Sequence, residues 1–111
     1  MTRISLRLKF DDDRLLGPGR IRLLELVAET GSISAAGRQM AMSYRRAWLL
    51  VEDLNRTFKK PLVEKQLGGS GGGGALLTPL GAEIVRHYRA IEARIATDSR
   101  ADVRAIERAL A

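Results

Sequence analysis

Two consecutive runs, Gly31-Ser32-Ile33-Ser34-Ala35-Ala36-Gly37-Arg38-Gln39-Met40-Ala41-Met42 and Ser43-Tyr44-Arg45-Arg46-Ala47-Trp48, decide how this chain is read. Ser34 can cap a short helix, and Ala35, Ala36 and Gly37 give it a thin face that another helix can cross closely. Met40 and Met42 flank Ala41 in the turn that follows and are expected to plug the core. Ser43 then supplies the capping hydroxyl of a second helix, whose first turn carries Tyr44, Arg45 and Arg46. A slim helix, a tight turn and a helix opening with polar and basic side chains are the parts of a DNA-binding helix-turn-helix.

Composition agrees with that beginning. The chain has 111 residues, 45% hydrophobic and 29% charged, which suits one globular domain with a modest core. Its formal net charge of +6 favours a polyanionic partner. From Arg38 to Lys65 the basic residues are Arg38, Arg45, Arg46, Arg56, Lys59, Lys60 and Lys65, against Glu52, Asp53 and Glu64. Most of the excess charge therefore sits where a DNA-facing surface would be. The absence of cysteine excludes disulfides and thiolate metal sites. No apolar stretch follows Met1-Thr2-Arg3 and no run of about 18 apolar residues occurs, so neither a signal peptide nor a membrane span is expected. A cytoplasmic protein is the expectation.

On the N-terminal side, Ile4, Leu6, Leu8 and Phe10 alternate with Ser5, Arg7 and Lys9, the period of a half-buried strand over residues 4–10. Asp11-Asp12-Asp13 ends it as a solvated loop, with no further ligand nearby that would hold a cation. Pro18 suits a helix start and Gly31 its stop, with Ile21, Leu24 and Val27/Ala28 on one face.

On the C-terminal side, Ala47, Leu50, Val51, Leu54 and Phe58 form the inward stripe of a helix over residues 43–58. Arg45, Leu49, Glu52 and Arg56 point the opposite way, with Arg46 beside them and Trp48 packing on the flank. Strands are expected over residues 63–66 and 75–77. Between them lies Gly68-Gly69-Ser70-Gly71-Gly72-Gly73-Gly74, which admits three readings: a flexible linker, a nucleotide-binding glycine motif, or a hairpin tip. No βαβ unit surrounds it, and the flanking strands favour a hairpin tip, a wing whose bare backbone can approach phosphates. Thr78-Pro79 opens the last long helix. Its apolar residues Leu80, Ile84, Tyr88, Ile91 and Ile95 step like a short coiled-coil seam, and Val103, Ile106 and Leu110 continue on a shifted phase after Asp98-Ser99. So long a terminal helix calls for a partner chain. His87, the one histidine, reads as a surface residue, and no catalytic set can be assembled, so an enzyme is not expected.

The expected fold is mainly α with a small β-hairpin: a winged helix-turn-helix with an N-terminal strand and a long C-terminal dimerisation helix. Residues 1–80 form the DNA-binding unit and residues 78–111 the helix continuous with it.

Four segments carry a resemblance. Gly17-Pro18-Gly19-Arg20, Glu29-Thr30-Gly31-Ser32-Ile33-Ser34-Ala35-Ala36, Met42-Ser43-Tyr44-Arg45-Arg46-Ala47-Trp48 and the Gly68–Gly81 stretch resemble the N-terminal DNA-binding domain of ModE-type molybdate-responsive regulators. Gly31–Ala36 with Leu77-Thr78-Pro79-Leu80-Gly81 resembles, more distantly, the LysR-type winged helix. The resemblance implies a dimeric transcription regulator, often a repressor, with the third helix in the major groove. It places Ser43, Tyr44, Arg45 and Arg46 at bases and phosphates, and Gly71, Gly72 and Gly73 in the wing. With Arg56 and Lys59 added from the charge pattern, these are the expected DNA contacts, and Ile84, Tyr88, Ile91 and Ile95 the expected dimer contacts. The family's oxyanion-binding domains lie C-terminal to this region, so no molybdate site and no cofactor are expected on these residues. The expected partners are a palindromic double-stranded operator and a second copy of the chain, with no membrane. The alternative is a winged helix serving as a protein-interaction module, which would need no basic recognition face.

Overall fold

A computed structural model of the chain describes residues 2–66 and 74–111. The expected wing contacts Gly71, Gly72 and Gly73 lie outside the described residues.

Residues 2–7 have no regular secondary structure, and β1 (Leu8–Lys9), a 3-10 turn (Asp11–Asp13) and β2 (Leu15–Leu16) follow. Leu8 pairs with Leu16 and Lys9 with Leu15, antiparallel. The expected strand over residues 4–10 is thus cut to its last residues. Alternation records one-sided burial, and Ile4 and Leu6 are indeed half-buried, but a ladder also needs a partner, which β2 supplies only opposite β1. The carbonyl of Leu6 instead accepts a 2.6 Å hydrogen bond from Tyr88 Oη.

Helix α1 (Pro18–Thr30) starts on its proline and stops at Gly31, whose φ of 71° is the left-handed cap conformation. Ile21, Leu24 and Val27 are buried as expected, together with Leu23 and Leu26, whereas Ala28 is exposed. One stripe was too narrow an expectation, because α2 (Ile33–Gln39), β4 (Gly74–Leu77) and α4 (Pro79–Asp98) all pack on α1. Ser32 caps α2, not Ser34: its Oγ accepts from the Ala35 amide at 3.0 Å. Gly31 ends α1 one residue earlier, so Ser32 is the first residue in extended conformation, while Ser34 is already helical.

Helix α3 (Tyr44–Thr57) buries Ala47, Val51 and Leu54, with Leu50 and Phe58 packed against the same core. After it come β3 (Val63–Gln66) and β4, paired antiparallel from Val63–Leu77 to Gln66–Gly74. Thr78 caps α4 with its Oγ, 3.0 Å from the Gly81 amide, and Pro79 takes the first helical position. Gly81 is required by contact: a Cβ there would stand 2.4 Å from the carbonyl oxygen of Leu62.

The apolar seam of α4 divides. Leu80 and Ile84 pack against the core, and Tyr88 is 1% exposed within it. Tyr88 and Ile84, expected as dimer contacts, therefore complete this chain's own core. The same spacing of apolar residues serves a core and a coiled coil equally. Beyond them Ile95 is exposed, and at Ser99 the helix breaks into α5 (Arg100–Arg108), which buries nothing and exposes Ile106, with Leu110 exposed beyond its end. The single long helix is in fact two.

Candidate nucleic-acid interface

The site is built on the crossing of α2 and α3. Gly37 lets the two helices meet, since a Cβ on it would lie 3.0 Å from the Cβ of Ala47. The turn between them closes with the Met42 amide donating to the Gly37 carbonyl at 3.0 Å, and its apex residue Ala41 adopts φ 56°. Ser43 Oγ accepts from the Arg46 amide at 3.1 Å, which fixes the first turn of α3.

That turn is presented outward. Ser43, Tyr44, Arg45 and Arg46 are exposed, as are Arg56 one face-length further on and Lys59 and Lys60 beyond the helix. None of Arg45, Arg46, Arg56, Lys59 and Lys60 makes an ion pair among the described residues, whereas Arg20, Arg22, Lys65 and Arg89 all do. The structure thus brings the expected side-chain contacts Ser43, Tyr44, Arg45, Arg46, Arg56 and Lys59 to the surface of one element and its exit. Unpaired guanidinium and ammonium groups keep all their donors for phosphates and base edges.

The rear of α3 is anchored. Arg20 Nη2 donates to Asp53 Oδ2 at 2.8 Å, and Arg14 Nη1 donates to the Thr57 carbonyl at 3.0 Å. Phe58 meets Phe10 edge to face, ring centres 6.1 Å apart. Asn55, to which sequence reasoning gave no role, holds the exit of α3 to the wing. Its Oδ1 accepts from the amides of Leu62 and Val63, at 2.8 and 3.1 Å, and its Nδ2 donates to the Val63 carbonyl at 3.1 Å. On the flank, Lys65 Nζ lies 4.4 Å over the Trp48 ring and 3.0 Å from Glu52 Oε1. Trp48 is therefore a packing platform for β3, as its position implied.

The wing root is tied to the α1–α2 corner by the Ala75 amide, which donates to the Gly31 carbonyl at 2.9 Å. A cleft of about 250 Å³ separates Ser32 and Ser34 of the first helix of the motif from Tyr44, Lys65 and Gln66. The cleft thus joins the first turn of α3 to the base of the β3–β4 hairpin.

On the opposite side, Arg22 of α1 and Arg89 of α4 are matched by carboxylates. Arg89 Nε and Nη2 donate to the two oxygens of Glu25, at 3.0 and 2.7 Å, and Nη1 donates to Glu92 at 2.7 Å. The hydrogen bonds from Arg89 hold the Glu25 carboxyl below its ordinary value, and the same contacts raise the pKa of Arg89. Burial pushes the Tyr88 hydroxyl up. Among the described residues no cluster of three His, Cys, Asp or Glu side chains could hold a metal ion. No helix there is long and apolar enough to cross a membrane.

Comparison with known proteins places this geometry. The family described as "Bacterial regulatory helix-turn-helix protein, lysR family" matches residues 19–82, from α1 through the first turn of α4. The chain is 44% identical over 81 residues to the molybdenum-pterin-binding protein MopB of Rhodobacter capsulatus, covering 73% of this chain and 30% of that protein. It is 39% identical over 85 residues to the DNA-binding transcriptional dual regulator ModE of Escherichia coli K12, covering 77% of this chain and 32% of that protein. The chain thus spans about a third of the length of these curated relatives. Among solved structures, the CbnR_DBD-DNA complex superposes with a TM-score of 0.58 at 24% identity, over 80% of this chain and 95% of that chain. The fold is that of a winged-helix domain, and the family match extends over more than half of the residues. This chain belongs to the lysR family of bacterial regulatory helix-turn-helix proteins.

Proposed function

We propose that this chain is the sequence-specific DNA-binding part of a ModE-type transcription regulator, concerned with molybdenum metabolism and acting as a repressor. The observation that carries the reading is the exposed first turn of α3, where Arg45 and Arg46 form no ion pair among the described residues behind the Ser43 cap, while Arg20 and Arg22 on α1 and Arg89 on α4 are paired. Arg45 and Arg46 make the base and phosphate contacts, with Ser43 and Tyr44 beside them. Arg56 and Lys59 add phosphate contacts along the same track. Similarity to a ModE described as a DNA-binding dual regulator supports the setting.

The working form is a homodimer in the cytoplasm. Ile91 and Ile95 of α4, with Ile106 of α5 and Leu110 beyond its end, are the contacts we assign to a two-fold interface. It would set two α3 helices on half-sites of a palindrome about 34 Å apart or a multiple of that. Sedimentation at micromolar concentration should give a dimer, and Ile95→Glu with Ile106→Glu a folded monomer that binds the operator at least about a hundredfold more weakly. Molybdate recognition is not assigned to these residues. The helix N-termini at Ser32, Ser43 and Thr78 already direct an amide to their own capping hydroxyls, and an oxyanion dianion needs several convergent donors in a closed pocket.

Fluorescence polarisation with random duplex DNA at low salt tests the central claim. Binding should weaken steeply as salt rises, and selection from random duplexes should then return a palindrome. Absence of binding at low salt would leave a winged helix used for protein contacts.

A further inference from the structure

Leucine is an unexpected occupant of the outward face of a helix offered to a polyanion. The core of α3 is complete without it: Ala47, Val51 and Leu54 are each 0% exposed. Leu49 is 45% exposed and shares its face with Arg45 and Arg56. At about 100° per residue it lies within roughly 40° of both, at the centre of the surface directed away from the core. Around it stand Arg45, Arg46 and Arg56, which form no ion pair among the described residues, and Glu52 and Asp53, whose carboxylates are engaged by Lys65 and Arg20.

Resting on the reading that α3 enters the major groove, we infer that Leu49 is a specificity-determining residue that reads thymine, packing on the C5-methyl group. That methyl is the one apolar group a base presents on the major-groove edge. Leucine against it removes apolar surface from water on both sides. Against cytosine N4, guanine O6 or adenine N6, the same side chain would bury a polar group without a partner, so it rejects as well as selects. Arg45 and Leu49 are four residues apart, about 6 Å along the helix axis, close to two base-pair rises of 3.4 Å. The methyl read by Leu49 therefore belongs to a base pair within about two steps of the one contacted by Arg45.

Replacement of thymine by uracil deletes the methyl and keeps every hydrogen-bonding group. With the palindrome selected for the full chain, each thymine is replaced by uracil in both half-sites together, and binding is measured for the wild type, Leu49→Ala and Leu49→Met. One symmetric pair of positions should weaken the wild type about fourfold per half-site, roughly 15-fold in all, the factor carried by one buried methyl. Leu49→Ala should bind the thymine duplex more weakly and be indifferent to uracil at that pair, while Leu49→Met keeps most of the effect. Thermal melting of Leu49→Ala should match the wild type. The inference is overturned if no thymine pair matters, if uracil weakens Leu49→Ala as much as the wild type, or if Leu49→Ala melts early, which would make Leu49 a core residue. Failure to select any duplex would instead overturn the DNA-binding reading on which it rests.

Discussion

Two arginine-rich surfaces of this protein look alike in sequence and differ in kind. On α1 and α4, Arg22 and Arg89 are enclosed by Glu25, Glu29 and Glu92, all within 3.6 Å. At the start of α3, Arg45 and Arg46 have no carboxylate within reach among the described residues. Net charge cannot separate the two cases, because a paired arginine and an unpaired one count the same. Pairing separates them: the first kind fastens helices together, and the second keeps its donors for another molecule.

The strongest way to break this contrast is to truncate both unpaired arginines. Arg45→Ala with Arg46→Ala should weaken operator binding by at least about 2 kcal/mol, some thirtyfold, because each base contact is worth about 1–3 kcal/mol. Chemical denaturation should stay within about 0.5 kcal/mol of the wild type, as expected for exposed side chains. Equal affinity would mean that the unpaired face is not the reading face.

Arg89→Ala should do the reverse. Loss of a partly exposed two-carboxylate clamp costs about 1–2 kcal/mol of stability, while affinity per folded molecule stays the same. The pH dependence sharpens the point. Glu25 is held below its ordinary value of 4.5, so its contribution is complete above that pH and is lost as pH falls through the lower folded-state value. Acid melts of the wild type should show this loss, and Arg89→Ala should show less of it.

A smaller effect distinguishes phosphate from base contacts on the unpaired side. Lys59→Gln should lower affinity for all duplexes alike and reduce the slope of log K against log salt by about 0.9. The smallest concerns the turn that aims the unpaired face. Ala41 sits at φ 56°, a conformation that costs an L-residue about 1–2 kcal/mol. Ala41→Gly relieves it against a glycine entropy cost, so melting should show a net gain of about 0.5 kcal/mol with DNA affinity unchanged.

How much of this was legible in the sequence follows from the range of the forces involved. Local chemistry was readable: Pro18 and Gly31 bounded α1, Ser43 capped α3, and Thr78-Pro79 opened α4. The outward placement of Arg45, Arg46 and Arg56 was readable from helical period alone. What failed depended on distant neighbours. Ser32 is the exception, a local miss: the Gly31 stop leaves it as the first extended residue, with its Oγ accepting from the Ala35 amide. Tyr88 fits a seam between chains or a core within one, and the approach of the N-terminal segment, whose Leu6 carbonyl accepts the hydrogen bond from its hydroxyl, decides the matter. The alternation of residues 4–7 foretold burial but not the missing ladder. Asn55 carried no local signal, since its partners lie seven and eight residues away, beyond the end of α3.

Asn55 also sets a limit on what this chain can become. Its side chain answers three backbone groups at once, accepting twice through one oxygen and donating once through nitrogen. Aspartate matches the reach but has no donor when ionised and would face the Val63 carbonyl with like polarity; serine is too short, and leucine would strand all three groups. Because the clamp spans the exit of the recognition helix and the first residue of β3, the two are carried as one piece. On the proposed DNA-binding reading, variation that retunes which operator is read can therefore proceed through Arg45, Leu49 and their exposed neighbours without disturbing the angle between α3 and the β3–β4 ribbon. Evolvability of the reading face is a by-product of one asparagine behind it.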